Sequence, residues 1–84
     1  LARVEWTEDA LADLEKLDSF IQRRVLKKIS WVSRHFDHLV PEPLAGELGG
    51  TYKIRVGDWR VIYAIEKDVM VIHAVGHRKE IYAL

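Results

Sequence analysis

Residues 51–75, TYKIRVGDWRVIYAIEKDVMVIHAV, decide the fold. Three runs rich in β-branched and aromatic residues, Thr51 to Val56, Trp59 to Glu66 and Val69 to Val75, are separated by Gly57-Asp58 and Lys67-Asp68. Links of two residues close antiparallel hairpins, so the three runs form a meander. Side chains alternate along a strand, which places Thr51, Lys53 and Arg55 on one face and Tyr52, Ile54 and Val56 on the other. Arg60 follows the first turn and lies nearly opposite Arg55, so three cations gather about one hairpin. A phosphate suits such a group, because the guanidinium fork matches its oxygens. The plain alternative is a set of solvated strand cations.

Upstream, Arg3 to Trp6 reads as a short strand closed by Thr7, a good helix N-cap with Glu8 and Asp9 in the turn that follows. Ala10, Leu11, Leu14 and Leu17 then fall within one helical arc opposite Asp9, Asp13 and Lys16. Asp18-Ser19 breaks and recaps the chain. Ile21, Val25, Ile29, Val32 and Phe36 repeat at helical spacing along a second, longer helix, with Arg23, Lys27 and Arg34 on its far side. Residues 37–50, with both prolines and three of the five glycines, read as a loop anchored by Leu39, Val40, Leu44 and Leu48. The expected architecture is α+β: an N-terminal strand, then a helical hairpin packed on one face of an antiparallel sheet that ends in the meander. The opposite face is left open, and Lys53 and Arg55 point there.

Composition narrows the function classes. An 84-residue chain that is 49% apolar is expected to form a single domain over 1–84. Zero cysteines leave no disulfide framework, thiolate metal site or cysteine nucleophile, which suits a reducing cytoplasm. No run approaches the about 18 apolar residues of a membrane span, so no membrane partner is expected. The net charge of zero hides segregation. Residues 1–18 hold six acids against two cations, and residues 19–36 hold five cations and no acid. Local patches set the field that an approaching polyanion meets.

His77 and Arg78 follow the glycine that ends the third run, and there an imidazole can give or take a proton. Tyr82, beyond the last strand, is placed to stack on a base. His35, His38 and His73 are scattered, with no carboxylate spaced for a zinc site, and neither a P-loop nor a GxSxG elbow is present.

Together, YKIRVGDWRVIYAI and VMVIHAVGHRKEIY, preceded by Leu-Gly-Gly and two helices, resemble the RelE family of toxin–antitoxin ribonucleases, within the RelE/ParE superfamily. The resemblance spans nearly the whole chain. It implies a RelE-like toxin that enters the ribosomal A site and cuts mRNA there, neutralised by a cognate antitoxin wrapped around it; the clustered cations suit an antitoxin that is small, acidic and partly disordered, and the chemistry requires no metal or cofactor. It places Lys53 and Arg55 at the family's two basic strand positions, Arg60 at its phosphate-binding arginine, Arg78 at its C-terminal arginine and Tyr82 at its stacking tyrosine. His77 stands where a well-known member has a basic residue, and it shares the proton-transfer role here; Arg23, Lys27 and Arg34 are assigned to RNA binding. In chemical terms, the RNA 2′-hydroxyl is the nucleophile and needs a deprotonator, charge stabilisation at the phosphate and a proton for the leaving 5′-oxygen. Lys53 or Arg55 eases the first step, although guanidinium hardly deprotonates. Arg60 holds the phosphate, and Arg78 or His77 serves the leaving group. The alternatives are a ParE-like inhibitor of DNA gyrase, which cuts nothing, and a non-catalytic RNA- or protein-binding relative.

Overall fold

The computed structural model describes residues 1–83. Its elements are β1 (Arg3–Trp6), α1 (Glu8–Lys16), α2 (Ser19–Arg34), β2 (Glu42–Pro43), β3 (Tyr52–Val56), β4 (Trp59–Glu66) and β5 (Val69–His77). The strands form one sheet in the order β1-β5-β4-β3-β2. Both helices lie on one face, so the α+β architecture expected from the sequence is the one observed. The sheet is mixed, however, because β1 runs parallel to β5 and pairs Arg3 with Val69 through Trp6 with Ile72.

Local chemistry sets the helix boundaries. The Thr7 side chain accepts from the Ala10 N–H at 3.1 Å, and Asp18 accepts from the Ile21 N–H at 3.0 Å, so each helix begins on an oxygen that satisfies an otherwise orphan donor. From α2, Val25, Ile29 and Val32 are buried against Ile54, Val56, Val61, Tyr63, Met70, Ile72 and Val75 of the sheet. Each fully buried aliphatic side chain of this kind contributes about 1.5–3 kcal/mol. Leu11, expected on the apolar arc of α1, is exposed, as is Val40 in the loop. Where β1 ends, β5 continues, and the Asp13 carboxylate takes over as partner of the Val75 N–H at 3.0 Å.

Two features of the sheet escape simple alternation. The β4–β5 register slips between Ile62 and Tyr63, which pair with Ala74 and Ile72, so His73 is an extra, exposed residue in a bulge. Ile72 and Val75 therefore both face the helices, whereas Ile62 and Ala74 turn to the opposite face. There they form a second apolar cluster with Ile81, on which Leu44 and Leu48 pack. The face expected to be open is thus half covered. The loop of residues 37–50 contributes β2, which pairs Glu42 with Lys53 and Pro43 with Tyr52.

Candidate functional site

On the face away from the helices, β3 presents Lys53 and Arg55 and β4 presents Arg60. Arg55 and Arg60 are paired directly across the hairpin. Like charges opposite one another destabilise a sheet, so this pairing is a cost to the fold. Beside Lys53 and Arg55 stands Glu42, whose Oε2 lies 2.7 Å from Arg55 Nη2 and 3.2 Å from Lys53 Nζ. The register of β2 brings it there. The Arg55 guanidinium, and after it the Lys53 ammonium, hold the Glu42 carboxyl below its usual range. Glu42 gave no signal in the sequence: it is a lone acid between two prolines, and only the pairing of distant strands shows what it meets.

Arg60 is half-buried and bends over the hairpin turn, donating from Nη1 to the Gly57 and Trp59 carbonyls at 2.8 Å each. Gly57 allows that turn, with φ of 60°. Arg78 is fastened to the same turn, its backbone N–H donating to the Asp58 carbonyl at 2.8 Å and its Nε lying 3.3 Å from Asp58 Oδ1. The chain then folds back in a short helical turn, Ile81–Ala83. Ile81 closes on Gly76 so tightly that a Cβ there would lie 3.0 Å from the Ile81 side chain. That contact seats the next residue, Tyr82, with the Lys53 ammonium 5.8 Å from its ring centre. Five of the six residues assigned to catalysis thus gather around one hairpin and its neighbours.

His77 is the exception, placed on the other side of the sheet. Past the bulge it pairs with Trp59, whose ring it meets edge-on at 5.3 Å, on the side of the helices. Its Nδ1 accepts from the Lys79 N–H at 3.2 Å, and the ring lines a shallow pocket with Asp13 and Glu80. The pleat separates it from Arg60.

Of the residues assigned to RNA, Lys27 and Arg34 line a groove between α2 and β3. Arg23 is exposed outside that lining.

A helical hairpin on a small mixed sheet, with a cationic face on the other side, defines the class of the RelE/ParE toxins. Residues 4–82 match the family of ParE toxins of type II toxin–antitoxin systems, parDE, and the chain belongs to that superfamily as a RelE-like toxin. It is 35% identical over 81 residues to the toxin RelG of Mycobacterium tuberculosis, an alignment covering 94% of this chain and 93% of that one. The toxin–antitoxin complex RelBE2 of the same organism matches with a TM-score of 0.79 and 35% identity over 92% of this chain and 98% of the other. The isolated E. coli RelE toxin shares the fold, with a TM-score of 0.75 at 24% identity over 99% and 93% of the two chains.

Proposed function

We propose that this toxin is a metal-independent endoribonuclease that cuts mRNA in the ribosomal A site by attack of the RNA's own 2′-hydroxyl. What supports the reading is the gathering of Lys53, Arg55, Arg60 and Arg78 with Glu42 and Tyr82 around one hairpin. Catalysis of this reaction needs few groups, because the substrate supplies the nucleophile. The Glu42 carboxylate takes the 2′ proton, a task for which it is better suited than a guanidinium. The 2′-oxygen then bonds to phosphorus while the bond to the 5′-oxygen breaks, leaving a 2′,3′-cyclic phosphate. Arg60, with Lys53 and Arg55 released from Glu42 by the incoming phosphate, stabilises the five-coordinate dianion. Arg78 holds the departing 5′-oxygen, which water protonates, and Tyr82 stacks on a base. His77 is left out because its ring faces the helices.

Translating ribosomes place this activity in the cytoplasm; among the described residues no helix is long and apolar enough to cross a membrane. The partner that restrains it is a cognate antitoxin, small, acidic and partly disordered, since the basic faces attract an acidic segment. The 35%-identical relative RelBE2 is a toxin–antitoxin complex.

The family match bears the ParE name, which favours a second reading, inhibition of DNA gyrase without cleavage. A gyrase inhibitor has no need of aligned cations around a carboxylate. Induced expression with mapping of mRNA 5′ ends separates the two. New ends within coding regions, appearing before any change in plasmid supercoiling, are expected. A supercoiling change with intact mRNA supports the gyrase reading, and neither effect leaves a non-catalytic binding module.

A further inference from the structure

Among the described residues, the cations of α2 differ from those of the cleft in lacking oxygen partners, for even Arg60, which has no carboxylate, is held by two backbone carbonyls. Lys53, Arg55 and Arg78 each have a carboxylate partner, whereas among the described residues Arg23, Arg24, Lys27, Lys28 and Arg34 have none within ion-pair distance. Phe20, Arg24, Lys27, Trp31 and Arg34 follow one another at spacings of four, three, four and three, which lays them along one stripe of the helix. From Arg24 to Arg34 the stripe runs about 15 Å at the rise of an α-helix. It borders a groove of about 510 Å³ whose other wall is the edge of β3 at Arg55 and Val56. β2 pairs only with Tyr52 and Lys53, so on the side away from β4 this part of β3 has no strand beside it. At one end the Arg24 guanidinium closes on the hairpin turn, 3.2 Å from where a Cβ of Gly57 would lie.

Large aromatic surface is left uncovered along the same stripe. Phe20 is 60% exposed and Trp31 40% exposed. His35 stacks on Trp31 with ring centres 4.5 Å apart and planes inclined by 27°, which makes a two-ring platform. The Lys28 ammonium sits 5.0 Å from the indole centre, an exposed, unbranched chain that a flat guest can displace.

We propose that the groove between α2 and the free edge of β3 is a second nucleic-acid surface, a track for single-stranded RNA. Its cations hold successive phosphates, Trp31 with His35 stacks on a base, and Arg55 passes the strand to the cleft. RNA rather than an acidic peptide is the occupant because five of the eight lining residues are cations and the only apolar side chains among them are Trp31 and Val56, too few to anchor the i, i+3 and i+4 side chains of a docked helix. Unpaired cations interleaved with open aromatic rings are what a backbone-tracking, base-stacking site requires. The choice of RNA rests on the reading of the cleft as an RNA-cutting site.

The test is binding of a fluorescein-labelled single-stranded RNA of about 15 nucleotides, a length within reach of one small module, to full-length protein inactivated by Arg60→Ala. Anisotropy is measured across about 0.05–0.2 M salt. Combining Arg24→Gln, Lys27→Gln and Arg34→Gln should flatten the slope of log K against log salt by about two, at roughly 0.7 for each phosphate contact to a single strand. Trp31→Leu should weaken binding about tenfold with the slope intact, and Trp31→Phe should restore most of it. The proposal falls if the triple variant keeps the parent's affinity and slope, or if Trp31→Leu binds as the parent does. It also falls if a Glu-rich helical peptide, and not RNA, loses binding in the triple variant. Cleavage by the unmodified toxin is scored separately: RNA held in the groove but never cut removes the nuclease reading and leaves the groove standing.

Discussion

Arg60→Ala and Arg78→Ala are each expected to abolish growth arrest at unchanged soluble levels. Both side chains converge on the Gly57-Asp58 turn, one from β4 and one from just beyond β5, and they are the cations held there by backbone and side-chain oxygens. Removing a single charge-stabilising donor from a site of this kind costs about 10²- to 10³-fold in rate, enough to abolish growth arrest if it is rate-limited by cleavage. The fold should survive. Arg78 is half-exposed and its ion pair with Asp58 lies in water, where such pairs contribute little. The Gly57 carbonyl that Arg60 contacts is on an exposed turn and can be hydrated instead. Melting curves of the variants verify this, and either variant remaining fully toxic would sink the assignment of the cleft.

For Glu42→Gln, opposite changes are expected in binding and in turnover. The carboxylate occupies Lys53 and Arg55 in the free protein, standing where a phosphate would stand. Neutralising it frees two cations, so affinity for an uncleavable 2′-deoxy oligonucleotide should rise several-fold. Cleavage should fall by about 10²-fold, the lower end for loss of a general base, because the cations that keep Glu42 ionised also weaken it as a base. The pH dependence follows from the same shift. A carboxyl held below its ordinary value keeps its ion pairs, and their contribution to stability, at and above that value near 4.5, losing them only as pH falls through the lowered one. The acid limb of kcat/KM, which reports the free protein in which both cations still touch Glu42, should therefore lie below the ordinary glutamate range. A Gln variant that cleaves at the parent's rate would show that Glu42 only shields the cations.

What was legible in the sequence was local. Two-residue links fixed the meander, and Thr7 and Asp18 marked the helix starts that the side-chain caps then occupy. Lys53, Arg55 and Arg60 could be placed on one face because their strand positions share a pleat. The rest depended on pairings between distant segments. Nothing in Arg3 to Trp6 says which strand it joins or in which direction, and only the assembled sheet shows the parallel pairing with β5. His73 is invisible as a bulge in an apolar run, yet it reverses the faces of everything after it and so carries His77 away from Arg60. Glu42 sits in a proline-rich loop, and its contact with the two cations follows from a two-residue strand too short to leave a pattern.

The central claim is that the RNA's own 2′-hydroxyl is the nucleophile, and the ends of the products test it most directly. Ribosome complexes programmed with a short mRNA, treated with the purified toxin, should yield upstream fragments ending in 2′,3′-cyclic phosphate or 3′-phosphate. A single 2′-deoxy substitution at the scissile nucleotide should abolish the cut. Fragments ending in a 3′-hydroxyl, or cleavage undiminished by the 2′-deoxy substitution, would mean that water attacks the phosphate and that the mechanism built on Glu42, Arg60 and Arg78 is wrong.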